Sequence, residues 1–172
     1  MRYIKDGAIA ADPWVRVEGD SPVPADLPAI ISAGRLLAEG ASVAVGRSAP
    51  LGVAWPNDKP VAEAAPHLPK LCLVALEFPA FRDGRAYTQA RHLRERYGFA
   101  HEIRATGDVL RDQFLFMVRA GFNAFEVRKD ADADAFAEAL RQFTGLYQPA
   151  ADRRNPVFRF RFSPAEVFHS RR

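Results

Sequence analysis

At 172 residues, with 48% hydrophobic and 26% charged side chains, the chain has the composition of one soluble domain able to bury a core of its own. No apolar run approaches the roughly 20 residues needed to span a bilayer, and a single cysteine excludes an internal disulfide. The net charge of +3 is carried mostly by arginines interleaved with Asp and Glu. Nucleic-acid binding, which calls for a continuous basic stripe, is therefore not expected, whereas contacts with carboxylate, phosphate or sulfate suit arginine well. The opening "MRYIKDGAIAADPW" lacks the charged and apolar regions of a secretory signal, so the expected compartment is cytoplasmic.

In chain order, "YIKDGAIAADPWVRVEG" predicts a hairpin turning at Asp6-Gly7, within an otherwise irregular, proline-rich N-terminal segment. "DLPAIISAGRLLAEG" predicts a helix stopped at Gly40, "APLGVAWP" a short buried strand, and "KPVAEAAPHLPK" a short helix limited by Pro66. From about residue 70 the pattern becomes regular. "LCLVALEF" reads as a strand covered on both faces, and "GRAYTQARHLRERYG" as a helix ending at Gly98. "HEIRAT" is a strand, "GDVLRDQFLFMVRAG" a helix with Asp108 as its N-cap, "NAFEVR" a strand and "DADAFAEALRQFTG" a capped helix. Such βαβ units specify a mainly parallel, open, three-layer α/β sheet, and a half-barrel uses the same units. Residues 1–150 read as one α/β domain, and residues 151–172 as a basic, aromatic tail or edge strand.

The four histidines, His67, His92, His101 and His169, show no ligand spacing, and His92 reads as a solvated helix residue. Neither Gly-x-Gly-x-x-Gly, nor a Walker loop, nor a nucleophile elbow occurs. No metal and no cofactor is expected. The polar residues instead fall beyond the predicted strand ends, where open α/β sheets bind ligands. Glu77, Asp83, Gly84 and Arg85 follow one strand, and Arg104, Gly107, Asp108, Arg111 and Asp112 follow the next. Together they form a candidate ligand-binding rim in which the arginines hold an anion. Phe116, on a helix with no clear polar face, and Phe158, Phe160 and Phe162 in the "VFRFRF" tail are candidate partner contacts, and the helix also raises the expectation of a homodimer.

"LEFPAFRDGRAYTQARHLRERYGF", "EIRATGDVLRDQ" and "RAGFNAFEV", in that order, resemble a bacterial family labelled a domain of unknown function. The resemblance covers about residues 50–145. Members are described as oxidoreductases or accessory proteins of sulfite reduction, encoded beside sulfite reductase genes. It implies a place in assimilatory sulfate reduction, with sulfite reductase or an upstream enzyme as partner. Sulfite reduction uses siroheme and an iron–sulfur cluster, whose four cysteine ligands this chain lacks. The expected function is a non-catalytic accessory protein. The alternative is an enzyme or sensor that binds a sulfur oxyanion or adenylyl sulfate at the rim, so catalysis stays open.

Overall fold

The computed structural model describes residues 2–128 together with residues 150 and 151. The predicted helix "DADAFAEALRQFTG" and the tail phenylalanines Phe158, Phe160 and Phe162 lie outside the described residues. Strands β1 (Arg2–Lys5) and β2 (Ala8–Ala10) form the predicted hairpin, with Asp6 at φ 49° and Gly7 at φ 88°. Positive φ at both central residues is the signature of a type I′ turn. The N-terminal segment goes on to supply β3 (Val15–Arg16) and β4 (Ala29–Ser32), more regular structure than its prolines implied.

Strand β4 corrects a predicted helix. Ala29, Ile30 and Ile31 are buried between neighbouring strands, a setting that branched side chains fill better than helical turns do. The helix begins only after Ser32, whose hydroxyl accepts from the Arg35 N–H at 3.2 Å, and α1 (Ala33–Glu39) ends as expected at Gly40, φ 57°. After β5 (Leu51–Trp55), the segment Val61–Lys70 winds as a 3-10 helix, because Pro66 and Pro69 inside it remove α-helical donors. Strand β6 (Leu73–Phe78) leads to α2 (Arg85–Arg91), which continues as a π turn over His92–Arg96. Strand β7 (Glu102–Gly107), a 3-10 turn at Arg111–Gln113, α3 (Phe114–Ala120) and β8 (Ala124–Val127) complete the described order.

The eight described strands join one sheet in the order β2-β1-β8-β7-β6-β5-β4-β3. Strands β3 to β8 run parallel and in sequence, and β1 lies antiparallel to β8 and β2. Sequential right-handed crossovers send every helix to the same face. One core accordingly joins Leu36, Leu68, Ala90 and Met117 from the helical segments to Ile31, Val53, Leu76, Ala105 and Phe125 from the strands. Of the two arrangements open to these units, the protein adopts the curled, open half-barrel.

The curl follows from chain length. Strands β2 and β3 occupy the two sheet edges, yet Ala10 is followed by Val15 after only the segment Ala11–Trp14. In a flat sheet those edges would lie roughly 33 Å apart. Five Cα steps span at most about 18 Å. The sheet must therefore bend around this strap, and Trp14 settles beside Ile30, Ala54, Leu73 and Ala75 on the concave face.

At the end of β7, Gly107 has φ 90°, and a Cβ there would sit 2.4 Å from the Phe78 carbonyl oxygen. Gly107→Ala should cost about 2 kcal/mol or more in urea unfolding, combining the left-handed backbone penalty with the clash. On the helix side, Tyr87 packs edge-on against Phe78 and Phe122, and burial, helped by Asp112, pushes its phenol up to about 12. The folded pKa exceeds the unfolded one, so this contribution is fully present below about pH 10 and lost as pH rises toward the folded value. Unfolding free energy measured across that window should fall by up to about 1.4 kcal/mol per pH unit for this group, and Tyr87→Phe should remove that part of the slope.

Candidate functional site

Strand alternation turns Glu102, Arg104 and Thr106 away from the helices, onto the concave face. There Arg104 is 0% exposed. Its Nε donates to Glu102 Oε1 at 2.9 Å, and its Nη1 to Glu126 Oε1 at 3.0 Å. Two further bonds reach Asp12 on the strap, Nη1 to Oδ2 at 2.8 Å and Nη2 to Oδ1 at 3.0 Å. The Tyr3 ring lies 4.3 Å from the guanidinium carbon, and the Tyr3 hydroxyl donates to Glu102 Oε2 at 2.9 Å. Lys5 pairs with Glu102, and Arg16 reaches from β3 to Glu126 at 2.6 Å. Burial opposes the Arg104 charge, but its bond to the Asp12 carboxylate and the Glu102 charge outweigh it, so its pKa lies above the ordinary arginine value. The Tyr3 phenol is pushed well above its usual range by burial and by its bond to Glu102. Three cations meet three carboxylates here, leaving the cluster internally balanced.

This corrects the expected rim. Arg104 is the third residue of β7, opposite Ala75 and Ala124 and short of the strand end, and its bonds go to Glu102, Asp12 and Glu126 rather than to Asp83. Asp83 pairs instead with Arg85 at 2.6 Å on an exposed loop, and Arg85 holds its carboxyl far below the ordinary range. Gly84 precedes α2 without a side-chain cap. Asp108 does not cap a helix, because α3 starts six residues later; its Oδ2 accepts from the Phe81 N–H at 3.0 Å and ties the two strand-end loops together. Arg111 and Asp112 sit exposed on the 3-10 turn before α3. Glu77 is exposed on the concave face. Phe114 is buried, whereas Phe116 is 61% exposed.

What does converge lies around the loop Pro56–Pro60, at the carboxyl end of β5. Trp55 Nε1 donates to the Lys59 carbonyl at 3.2 Å, and Gln89 Nε2 donates to the carbonyls of Pro56 at 3.0 Å and Lys59 at 2.8 Å. These bonds and two prolines hold the loop as a ledge between two pockets. On the concave side, a cavity of about 370 Å³ is lined by Arg16, Ser32, Lys59, Glu77 and Thr106. On the helix side, a cavity of about 470 Å³ is lined by Asn57, Lys59, Arg85, Gln89, His92 and Arg96 among others. Asn57 is 8% exposed and Gln89 6%, yet Asn57 Nδ2 and Gln89 Oε1 have no hydrogen-bond partner. Asn57 lies near enough to Asp83 to help depress its pKa without making a well-formed bond. A buried polar atom left unpaired costs about 1–3 kcal/mol, so the two amides beside this pocket are an uncompensated expense of the ledge.

The sequence reading missed Asn57, Lys59, Gln89 and Arg96. Two signals were present. "WPNDKP" directly follows a strand, and Arg85, Gln89, His92 and Arg96 recur at helical spacing along one face.

Fold and pocket together define an α/β half-barrel with a cation-lined ledge at its strand ends. The chain belongs to the family described as bacterial protein of unknown function (DUF934), whose model matches residues 52–158 and takes in all three sequence motifs. A search of curated proteins finds no match.

Removing Arg104 leaves three carboxylates facing one another, two of them largely buried. Arg104→Met should therefore destabilise the fold by about 3–5 kcal/mol in denaturant titration. Retention of full stability would show that the cluster can dispense with its central cation.

Proposed function

We propose that the protein is an oxyanion-binding accessory component of sulfur assimilation, a non-catalytic partner of the sulfite-reducing machinery. The observation that carries the reading is the helix-side pocket, where Lys59 and Arg96 outnumber Asp58 while Arg85 is paired with Asp83. Cations of this kind can fork or point at a small anion. The resemblance to chains encoded beside sulfite reductase genes makes sulfur oxyanions the first ligands to test. The exposed apolar side chains of Phe81, Leu110 and Phe116 support the partner role.

A second reading, an enzyme or sensor acting on a sulfur oxyanion or adenylyl sulfate, draws on Glu77, which shares the concave-side pocket with Lys59. Product formation from adenylyl sulfate by the purified chain would favour it over the accessory role.

Thermal unfolding in sulfite, sulfate and adenylyl sulfate tests the anion site. A ligand at about a hundred times its Kd should add about 2.7 kcal/mol and raise the midpoint, and Lys59→Met with Arg96→Met should abolish the rise. No shift with any of the three removes the anion reading. Affinity capture from sulfate-grown cells should recover sulfite reductase or an enzyme upstream of it, and Phe116→Ser should weaken that capture. Recovery of neither enzyme removes the partner role.

A further inference from the structure

The concave-side pocket, at the carboxyl ends of β4 to β7, is lined by two side chains of opposite charge that pair with no described residue. Glu77 stands exposed near the end of β6, and Lys59 lies in the loop that follows β5, the neighbouring strand. Ala33, Gly34, Ala54 and Ala75 leave the cavity between them open, and its volume of about 370 Å³ is that of a small-molecule site. Arg16 lines the same cavity from β3. Its Nη2 donates to Glu126 Oε1 at 2.6 Å, but that oxygen also accepts from Arg104 Nη1 at 3.0 Å. Arg104 is fixed there by Glu102 and Asp12 as well, whereas the Arg16 side chain is 45% exposed. Arg16 can therefore turn to a carboxylate in the pocket without leaving Glu126 unpaired. The Ser32 oxygen accepts from the Arg35 N–H, which leaves its hydroxyl hydrogen for a ligand oxygen at the same wall.

We propose that this pocket binds a free α-amino acid, its ammonium at Glu77 and its carboxylate at Lys59, Arg16 and the Ser32 hydroxyl. An anion alone would lie against the Glu77 carboxylate, and a cation alone against Lys59. Only a ligand carrying both charges satisfies both groups. Neighbouring strands run about 5 Å apart, a spacing that suits an ammonium and a carboxylate borne on one carbon. Such a ligand differs from the adenylyl sulfate considered above, which offers no ammonium to Glu77. The site is separate from the helix-side anion pocket, although Lys59 borders both.

Thermal unfolding of the full chain with each common free L-amino acid in turn, at millimolar concentration, identifies the ligand, and isothermal titration then measures its affinity. At least one should raise the midpoint. Its N-acetyl derivative, which lacks the ammonium, and its methyl ester, which lacks the carboxylate, should each bind at least about tenfold more weakly. Glu77→Gln and Arg16→Gln, both at exposed positions, should each weaken binding by about tenfold while leaving the circular dichroism unchanged. Arg96→Met, on the helix-side pocket, should leave amino-acid binding as it was. A midpoint raised by no amino acid overturns the proposal, as does a derivative that binds as tightly as its parent. Binding that survives both Glu77→Gln and Arg16→Gln, or that is lost with Arg96→Met, overturns the assignment to the concave pocket. Each of these results leaves the helix-side anion reading to its own test.

Discussion

A guanidinium shut away from water must find its counter-charges within the protein, and the shape of this molecule follows from how Arg104 does so. Its partners come from three separate places, Glu102 on its own strand, Glu126 on the next and Asp12 on the strap. Asp12 can arrive only because the sheet bends until its two edges are a few residues apart. Gly52 completes the fit, since a Cβ there would lie 3.2 Å from the Trp14 ring. Charge pairing and curvature thus demand each other. A buried ionic cluster of this kind contributes little net stability compared with an apolar core of equal volume. Its value is in specifying one arrangement of strap and sheet, because any other leaves a charge stranded.

The same logic accounts for the basic composition. Arg94 donates to the carbonyls of Gly121 and His101 and to Asn123 Oδ1, binding the π turn to the starts of β7 and β8. Arg35 bonds the Ser21 carbonyl, and Arg47 bonds the Leu27 and Pro50 carbonyls. Arginine serves here chiefly as a multidentate tie for irregular backbone. The cations around the ledge stand apart because they line a pocket instead of tying main-chain oxygens.

The repeating strand–helix units were legible because each strand is a compact apolar run and each helix ends at a glycine. Gly40 and Gly121 fill those positions with positive φ. The β4 boundary was not, because "AIISAGRLL" carries apolar residues at spacings that suit either structure, and only pairing with β3 and β5 decides. Arg104 was misplaced for a related reason. The predicted strand "HEIRAT" already contains Arg104, but its side chain was placed at the strand end, whereas alternation along β7 sets it on the concave face. The buried amides of Asn57 and Gln89 were beyond reach, since burial of a polar side chain depends on neighbours distant in sequence.

The pairing of β1 with β8 brings Arg2 opposite Val127. A chain leaving the ribosome exposes its first hairpin long before Ala124–Val127 emerge to receive it. Strands β4 to β7 meet their neighbours in order of synthesis, so the middle of the sheet can grow as translation proceeds. The hairpin is different, because it waits for a docking edge that is made last among the described strands. Contacts of such sequence separation are slow to form and carry a large loop-closure cost. Among the described strands the hairpin is therefore made before the middle of the sheet and locked in after it, and its docking coincides with closure of the strap over the concave face.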